Sequence, residues 1–328
     1  MQVGIIGLGN LGTALAQLIT SNGHQVLGWE YNPAVVAEIN ARHTNARYLP
    51  DIALSPNLAA TGHLDKLLAQ STTVFVTLPS AFIRATLGPQ AQILHPDAVV
   101  VNLAKGIDRT TGQTAYQTVG ALFPQHTCLI LAGPAIAGEF ARGLPTLVVL
   151  AGGSPAAMLP VARLLDNDHF RVRFSNDALG VELGGILKNV YAIGLGFFDG
   201  KQVTSANFRA AYLTLALEEM ARLGVGLGAQ AETFFYLAGM GDLLATALSA
   251  QSHNRRLGEQ IAAGQTIAEV KASAGLLPEG YQTLRLVLLL AEKIHVPAPL
   301  ALGIWHVLTG HATAEGFIDA FVRDFISA

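Results

Sequence analysis

The stretch VGIIGLGNLGTALAQLITSNG, residues 3–23, decides the fold. It starts as a β-rich apolar run at 3–7, passes through GLGNLG at 7–12, and continues as a helical pattern ending in Asn-Gly, a pair suited to a helix C-cap. Gly7 lets the chain turn sharply, Gly9 leaves room for a pyrophosphate beside the backbone, and Gly12 lets the helix pack on the strand. The helix N-terminus then presents N–H groups and a positive dipole end to phosphate. Alone, this glycine spacing also fits an ordinary strand-to-helix turn. Its place between a strand and a helix makes it a dinucleotide fingerprint.

Outward from this unit the pattern repeats. The next apolar run, 25–29, ends at Glu30, roughly 20 residues beyond the glycines, where an acid meets a ribose diol. A carboxylate there repels a 2′-phosphate, and no arginine stands beside it, so NAD is favoured, with NADP possible. Tyr31 can lie against an adenine. Both residues also suit a plain strand end. Further runs rich in Val, Ile and Leu occupy 73–78, 98–103, 128–133, 146–151 and 170–174, as buried strands of a parallel sheet require. After about residue 175 the strand signal stops and Ala, Leu and Gly-rich helical patterns take over. The fold class predicted is α/β: an N-terminal Rossmann-type doubly wound parallel sheet, residues 1–175, followed by an all-α C-terminal domain, residues 176–328. The first would bind the dinucleotide and the second would hold the substrate and the catalytic groups.

Composition narrows the function classes. Net charge is −3, which gives no reason to expect nucleic acid or an acidic membrane surface as partner. Only 13% of residues are charged against 51% apolar, about half the usual charged share. Such a chain hides apolar surface in itself or in a partner, and a homodimer is expected. No run reaches the ~18 apolar residues of a membrane span, and MQVGIIGLGNLG reads as a strand rather than a signal peptide. The lone Cys128 fits a small buried hydrophobe in a reducing compartment, so a cytoplasmic location is expected. The ten histidines form no H-E-x-x-H pair, and His306 and His311, five apart on a predicted helix, do not share a face. No metal is predicted.

Three residues and one cluster can carry chemistry. Lys105 follows the run at 98–103, and ligands of open α/β sheets bind beyond the carboxyl ends of strands; it also suits a solvated turn. Lys188, in GVELGGILKNVYAIGLG, sits among small and apolar neighbours, and Glu182 is too far round the helix to pair with it. Desolvation makes a lysine a usable proton donor or acceptor, although a snorkelling lysine has the same periodicity. The glycines beside it would let a ligand approach. Asp242 interrupts the glycine-broken apolar segment LAGMGDLLAT, either as a half-buried acid in need of a cation or as a helix N-cap. QSHNRRLG, residues 251–258, crowds donors that grip an anion or coat a turn.

Together these segments resemble the NAD(P)-dependent glycerol-3-phosphate dehydrogenases over nearly the whole chain. GLGNLGTALA is similar to the family's G-x-G-x-W-G-T-A-L-A, with Leu11 at the aromatic position. LPSAFI, AKGI and AGPAIAGEFARGLPT follow its next three motifs. GVELGGILKNVYAIGLGFFDG is the most specific match, and GMGDLL, SHNRRLG and LLPEGYQT come in the expected order. The resemblance implies reversible hydride transfer between a nicotinamide cofactor and a triose phosphate, reducing dihydroxyacetone phosphate to sn-glycerol 3-phosphate for phospholipid synthesis. Lys188 would be the general acid/base, with Lys105 and Asp242 beside it in the catalytic set. Lys105, Gly133, Lys188, Asp242, Thr246, Ser252, His253 and Asn254 would meet the substrate. Gly7, Gly9, Asn10, Leu11, Gly12, Glu30, Tyr31, Phe82, Lys105, Ala137, Arg255, Leu277 and Glu279 would meet the cofactor. Two departures fall on the substrate side. His253 stands where the family has arginine, losing a permanent bidentate fork, and Ala135 stands where it has serine. They leave open a related two-domain dehydrogenase for another small hydroxy compound. A non-catalytic dinucleotide-binding protein would not need Lys105, Lys188 and Asp242 together.

Overall fold

The computed structural model describes residues 2–108, 110–250 and 252–327. The chain divides into two compact units, Met1–Glu182 and Leu183–Ala328. The first contains β1 (Val3–Ile6), α1 (Asn10–Ser21), β2 (Val26–Trp29), α2 (Pro33–Arg42), β3 (Leu58–Thr61), α3 (Leu64–Gln70), β4 (Thr73–Val76), α4 (Ser80–Leu87), β5 (Val99–Asn102), α5 (Ala115–Leu122), β6 (Thr127–Ala132), α6 (Ala137–Phe140), β7 (Thr146–Ala151), α7 (Pro155–Leu165) and β8 (Phe170–Ser175). Helix α8 (Ala178–Gly200) begins there and continues into the second unit. The second unit adds α9 (Ala206–Gly226), α10 (Ala231–Phe234), α11 (Asp242–Leu248), α12 (His253–Ala262), α13 (Ile267–Ala274), α14 (Glu279–Lys293), α15 (Pro299–Leu308) and α16 (Ala314–Ser327).

The eight strands form one sheet in the order β3-β2-β1-β4-β5-β6-β7-β8. Successive crossovers leave β1 toward one edge and β4 toward the other, so the loops after β1 and β4 flank the point where the winding reverses. Ligands of such sheets sit there, beyond the carboxyl ends of the strands. Strand alternation explains the two cores. Val3 and Ile5 pack with Leu15 and Ile19 of α1, while Ile6 packs with Leu67 and Leu68 of α3 on the opposite face.

Two features depart from the sequence pattern. Leu58–Thr61, LAAT, forms an edge strand in register with β2, although an alanine-rich four-residue run has little intrinsic β-preference; pairing against Val26–Trp29 makes it a strand. And β7 runs antiparallel to β6. The link between them carries only the single-turn helix α6 and lacks the longer helix that usually makes the crossover between parallel strands.

Among the described residues of the second unit all regular structure is helical. Helix α8 is long and apolar enough to cross a membrane by length and composition, yet 89% of its most apolar window is buried inside the fold. Its side chains, Tyr191, Phe197 and Phe198 among them, are core. The buried carboxylate of Glu219 in α9 accepts from Tyr191 Oη at 3.0 Å and from the backbone N–H of Leu300 and Ala301 at 3.0 and 2.9 Å, capping α15 from the side.

Candidate active site

In the first unit the turn after β1 is shaped by its glycines. Gly7 has φ +101°, open to glycine and strained for other residues. A Cβ on Gly12 would lie 1.9 Å from Gly7 O and 2.7 Å from Thr77 Oγ1, so nothing larger fits where α1 meets the strand end. Gly9 differs: its φ is −69° and a Cβ there would meet nothing within 4 Å. The fold alone therefore gives no reason for glycine at 9, whereas a pyrophosphate on the first turn of α1 does. The turn is held from outside. Thr77 Oγ1 donates to Gly7 O at 2.7 Å, and Asn45 Nδ2 donates to Leu8 O at 2.9 Å. Asn10 opens α1 and donates from Nδ2 to Tyr48 O at 2.7 Å.

Glu30, at the end of β2, is buried. Its carboxylate accepts from Leu8 N at 3.2 Å and Asn32 N at 3.1 Å. It thus braces the glycine turn and places negative charge against it. Tyr31 beside it is 70% exposed, and Phe82 in α4 is also exposed.

Beyond β5 and β6, Leu11, Lys105, Gly133 and Ala135 line one crevice of this unit. Asn102, wholly buried, shapes the approach: its Oδ1 accepts from Ala104 N at 3.2 Å and its Nδ2 donates to Ala104 O at 3.1 Å. Arg84 fastens the same loop through Asp108 (2.8 Å) and Gln113 (2.9 Å). Lys105 is half-buried between these fixings. Ala137 is buried at the start of α6.

In the second unit Lys188 Nζ donates to Asp242 Oδ1 at 2.7 Å and to Thr246 Oγ1 at 2.6 Å. The side chains of Lys188 and Asp242 are 11% and 3% exposed. The lysine nitrogen thus faces a buried carboxylate and a hydroxyl at hydrogen-bond distance. Local backbone brings them together. One π-helical turn, Leu237–Gly241, runs directly into Asp242, a feature often found at functional sites. Gly184 of α8 permits the approach, because a Cβ there would lie 2.5 Å from Ala238 O. The glycines of α8 thus admit neighbouring backbone of the same unit: a Cβ on Gly196 would lie 2.0 Å from Arg255 O.

Two amide side chains extend this cluster. Asn189 Oδ1 accepts from Asn254 Nδ2 at 3.0 Å, and Asn254 Oδ1 accepts from Gly280 N at 3.0 Å, beside Glu279 at the start of α14. Leu277 and Glu279 are half-buried. Ser252 is the N-cap of α12, accepting from Arg255 N, and His253 is exposed in its first turn. Arg255, expected at the cofactor, donates from its guanidinium to Asp199 and to Ala247 O.

A family model described as NAD-dependent glycerol-3-phosphate dehydrogenase N-terminus matches residues 2–158, and its C-terminal counterpart matches residues 177–319. The chain belongs to this dehydrogenase family. A glycerol-3-phosphate dehydrogenase (NAD(P)+) of Geobacter sulfurreducens is 38% identical over 98% of this chain and 97% of its own length. One of Lactiplantibacillus plantarum is 34% identical over 98% and 97%. The crystal structure of glycerol-3-phosphate dehydrogenase from Coxiella burnetii superposes with TM-score 0.91 at 30% identity, covering 98% of each chain. Oxidoreductase chemistry with a nicotinamide dinucleotide comes with that membership.

Several residues placed in these clusters of the dehydrogenase were not singled out from sequence. Asn189 follows Lys188 directly and is a polar interruption of an apolar helix, which was a readable signal. Asn45, Asn102 and Thr77 carry none, since their partners are 32 or more residues away or depend on a loop's path. Glu182 turns from α8 to the start of α5, where Tyr116 N donates to its Oε1 at 2.7 Å. Burial pushes its carboxyl up to about 7, against hydrogen bonds from Thr114 and Tyr116, and its Oε2 has no partner. Burial also pushes the Cys128 thiol up to about 11, which leaves it unreactive at neutral pH. His306 lies in α15 but His311 lies past its end at Leu308, and the turn brings their rings to 6.1 Å. Among the described residues no group of three His, Cys, Asp or Glu side chains is placed to hold a metal ion.

Proposed function

We propose that this chain reduces dihydroxyacetone phosphate to sn-glycerol 3-phosphate, reversibly, with Lys188 as general acid/base. The observation that carries the reading is the buried Lys188–Asp242–Thr246 cluster in a member of this family. Residues 1–175 bind the dinucleotide, and residues 176–328 supply the substrate and catalytic groups. Gly7, Gly9, Asn10, Leu11 and Gly12 hold the pyrophosphate on the first turn of α1, and the carboxylate of Glu30 meets the adenosine ribose. That charge disfavours a 2′-phosphate, so NAD is preferred over NADP. Bound NADH supplies the hydride.

As the carbonyl carbon gains hydride, its oxygen becomes an alkoxide. The Lys188 ammonium stabilises that charge and delivers the proton, and in the oxidative direction it takes the proton back. Asp242 and Thr246 keep the amine aimed, which limits the reorganisation needed during reaction. Asn254 and the N-terminal turn of α12 with His253 take the phosphate, whose binding positions the reacting carbon. Lys105 and Gly133 are read as further substrate contacts. The reading includes a cytoplasmic homodimer: the small charged share supports partner-covered surface, and one half-buried thiol suits a reducing compartment.

The test is direct. Purified protein mixed with NADH and dihydroxyacetone phosphate should consume the reduced-nicotinamide absorbance, faster than with NADPH. No turnover with either cofactor would overturn the reading.

A further inference from the structure

Asp199 lies near the end of α8, and two arginines of the second unit meet on it. Arg255 of α12 grips both carboxylate oxygens, Nε on Oδ2 and Nη2 on Oδ1 at 3.0 Å. Arg209 of α9 donates from Nη2 to Oδ1 at 2.7 Å and from Nε to Val203 O at 2.9 Å. The remaining arm of Arg255, Nη1, donates to Ala247 O at 2.7 Å, near the end of α11. One carboxylate therefore ties together the end of α11, the first turn of α12 and the start of α9. The flanking residues belong to the cluster described above. Thr246, bonded to Lys188, precedes Ala247, and Asn254, bonded to Asn189, precedes Arg255.

We propose that Asp199 is a positioning residue for the substrate: through Arg255 it holds the end of α11 and the first turn of α12 in register, so that Thr246, His253 and Asn254 present one preorganised surface. This rests on the reading of the reaction given above. The chemistry requires an acid at 199. A planar guanidinium takes two parallel hydrogen bonds only from a group with two acceptor oxygens, and Arg209 uses the same group. An amide offers one oxygen and turns its NH₂ toward a cation. The side chain of Asp199 is 11% exposed and each arginine 23% exposed, so water replaces these bonds poorly. Backbone contact of α12 on Gly196 seats the helix, and the clamp fixes its rotation.

Asp199→Asn, Arg255→Gln and the double variant of the full chain test this. In Asp199→Asn the KM for dihydroxyacetone phosphate should rise roughly tenfold, the scale of a small misplacement of binding groups. The kcat should fall less, and the Kd for NADH should not change. The double variant should be no worse than the worse single one, because both break the same clamp. A KM unchanged in Asp199→Asn, or single effects that multiply in the double, would overturn the proposal. Amide hydrogen exchange on the same proteins is independent of turnover. Faster exchange confined to the first turn of α12 and the end of α11 supports the clamp, and uniform or absent acceleration overturns it. If the wild-type protein turns over no triose phosphate, the reading of the reaction fails while the exchange pattern still decides the clamp.

Discussion

Replacing Lys188 with methionine keeps most of the stem volume and removes the amine, and two separate effects should follow. The first is on stability. Asp242 lies 2.7 Å from the lost nitrogen and is 3% exposed, so the variant keeps a buried carboxylate without its cation. Breaking one side of such a pair costs roughly 3–5 kcal/mol. The second is on the reaction. A positioned proton donor is worth roughly 10²–10⁴-fold, and a cationic donor to the developing oxyanion roughly 10²–10³-fold. Because one nitrogen does both, the two overlap, and a fall of about 10⁴ in kcat/KM is expected. Adding Asp242→Asn removes the orphaned charge. Urea unfolding should then recover most of the lost stability, while NADH oxidation with dihydroxyacetone phosphate stays as slow as in the single variant. NADH binding, followed by its fluorescence, should match wild type in both. If Lys188→Met keeps a tenth of wild-type kcat/KM, or if the double variant regains turnover along with stability, Lys188 is a structural cation and its catalytic role is refuted.

Three further outcomes follow from the geometry. An acid whose folded pKa lies above its unfolded value costs stability once ionised, so the contribution of Glu182 is most favourable below 4.5 and declines as pH rises through about 7. At about 1.4 kcal/mol per pH unit the full penalty is about 3 kcal/mol. Glu182→Gln should therefore gain on wild type in thermal melts between pH 5 and pH 8, and parallel melting curves would contradict the burial argument. Glu30→Gln keeps an acceptor for the glycine turn but loses the charge. The NADPH to NADH ratio of kcat/KM should rise about tenfold, and an unmoved ratio would mean Glu30 only braces the turn. His253→Arg gives the first turn of α12 a permanent fork, so the KM for dihydroxyacetone phosphate should fall about fivefold with kcat unchanged. A KM indifferent to that change places the phosphate elsewhere.

Much of the fold was legible because its signals are local. The glycine spacing of residues 7–12, the apolar runs of buried strands and the switch to helical periodicity each depend on residues close in sequence. The family was legible for the same reason, since its motifs are contiguous strings. The strand Leu58–Thr61 was not, because nothing in LAAT prefers the extended state until β2 offers it hydrogen bonds. The reversed β7 was not, because strand direction follows from the path of a connection rather than from composition.

The sequence by itself determined most of the elements, the chemical groups that the chain owns and the kind of dinucleotide turn it builds. Only tertiary structure decided what those groups do to one another. Lys188 and Asp242 are 54 residues apart, and each alone reads equally as a surface lysine or a helix cap; a π turn and a small glycine contact make them a 2.7 Å pair. Arg255 is one donor of a polar string by its letters, and only the fold shows that Asp199, 56 residues away, holds its guanidinium. The physical reason is range. Backbone propensity and periodicity act over a few residues, whereas a hydrogen bond or an ion pair needs contact, and contact between distant residues exists only after the chain has folded.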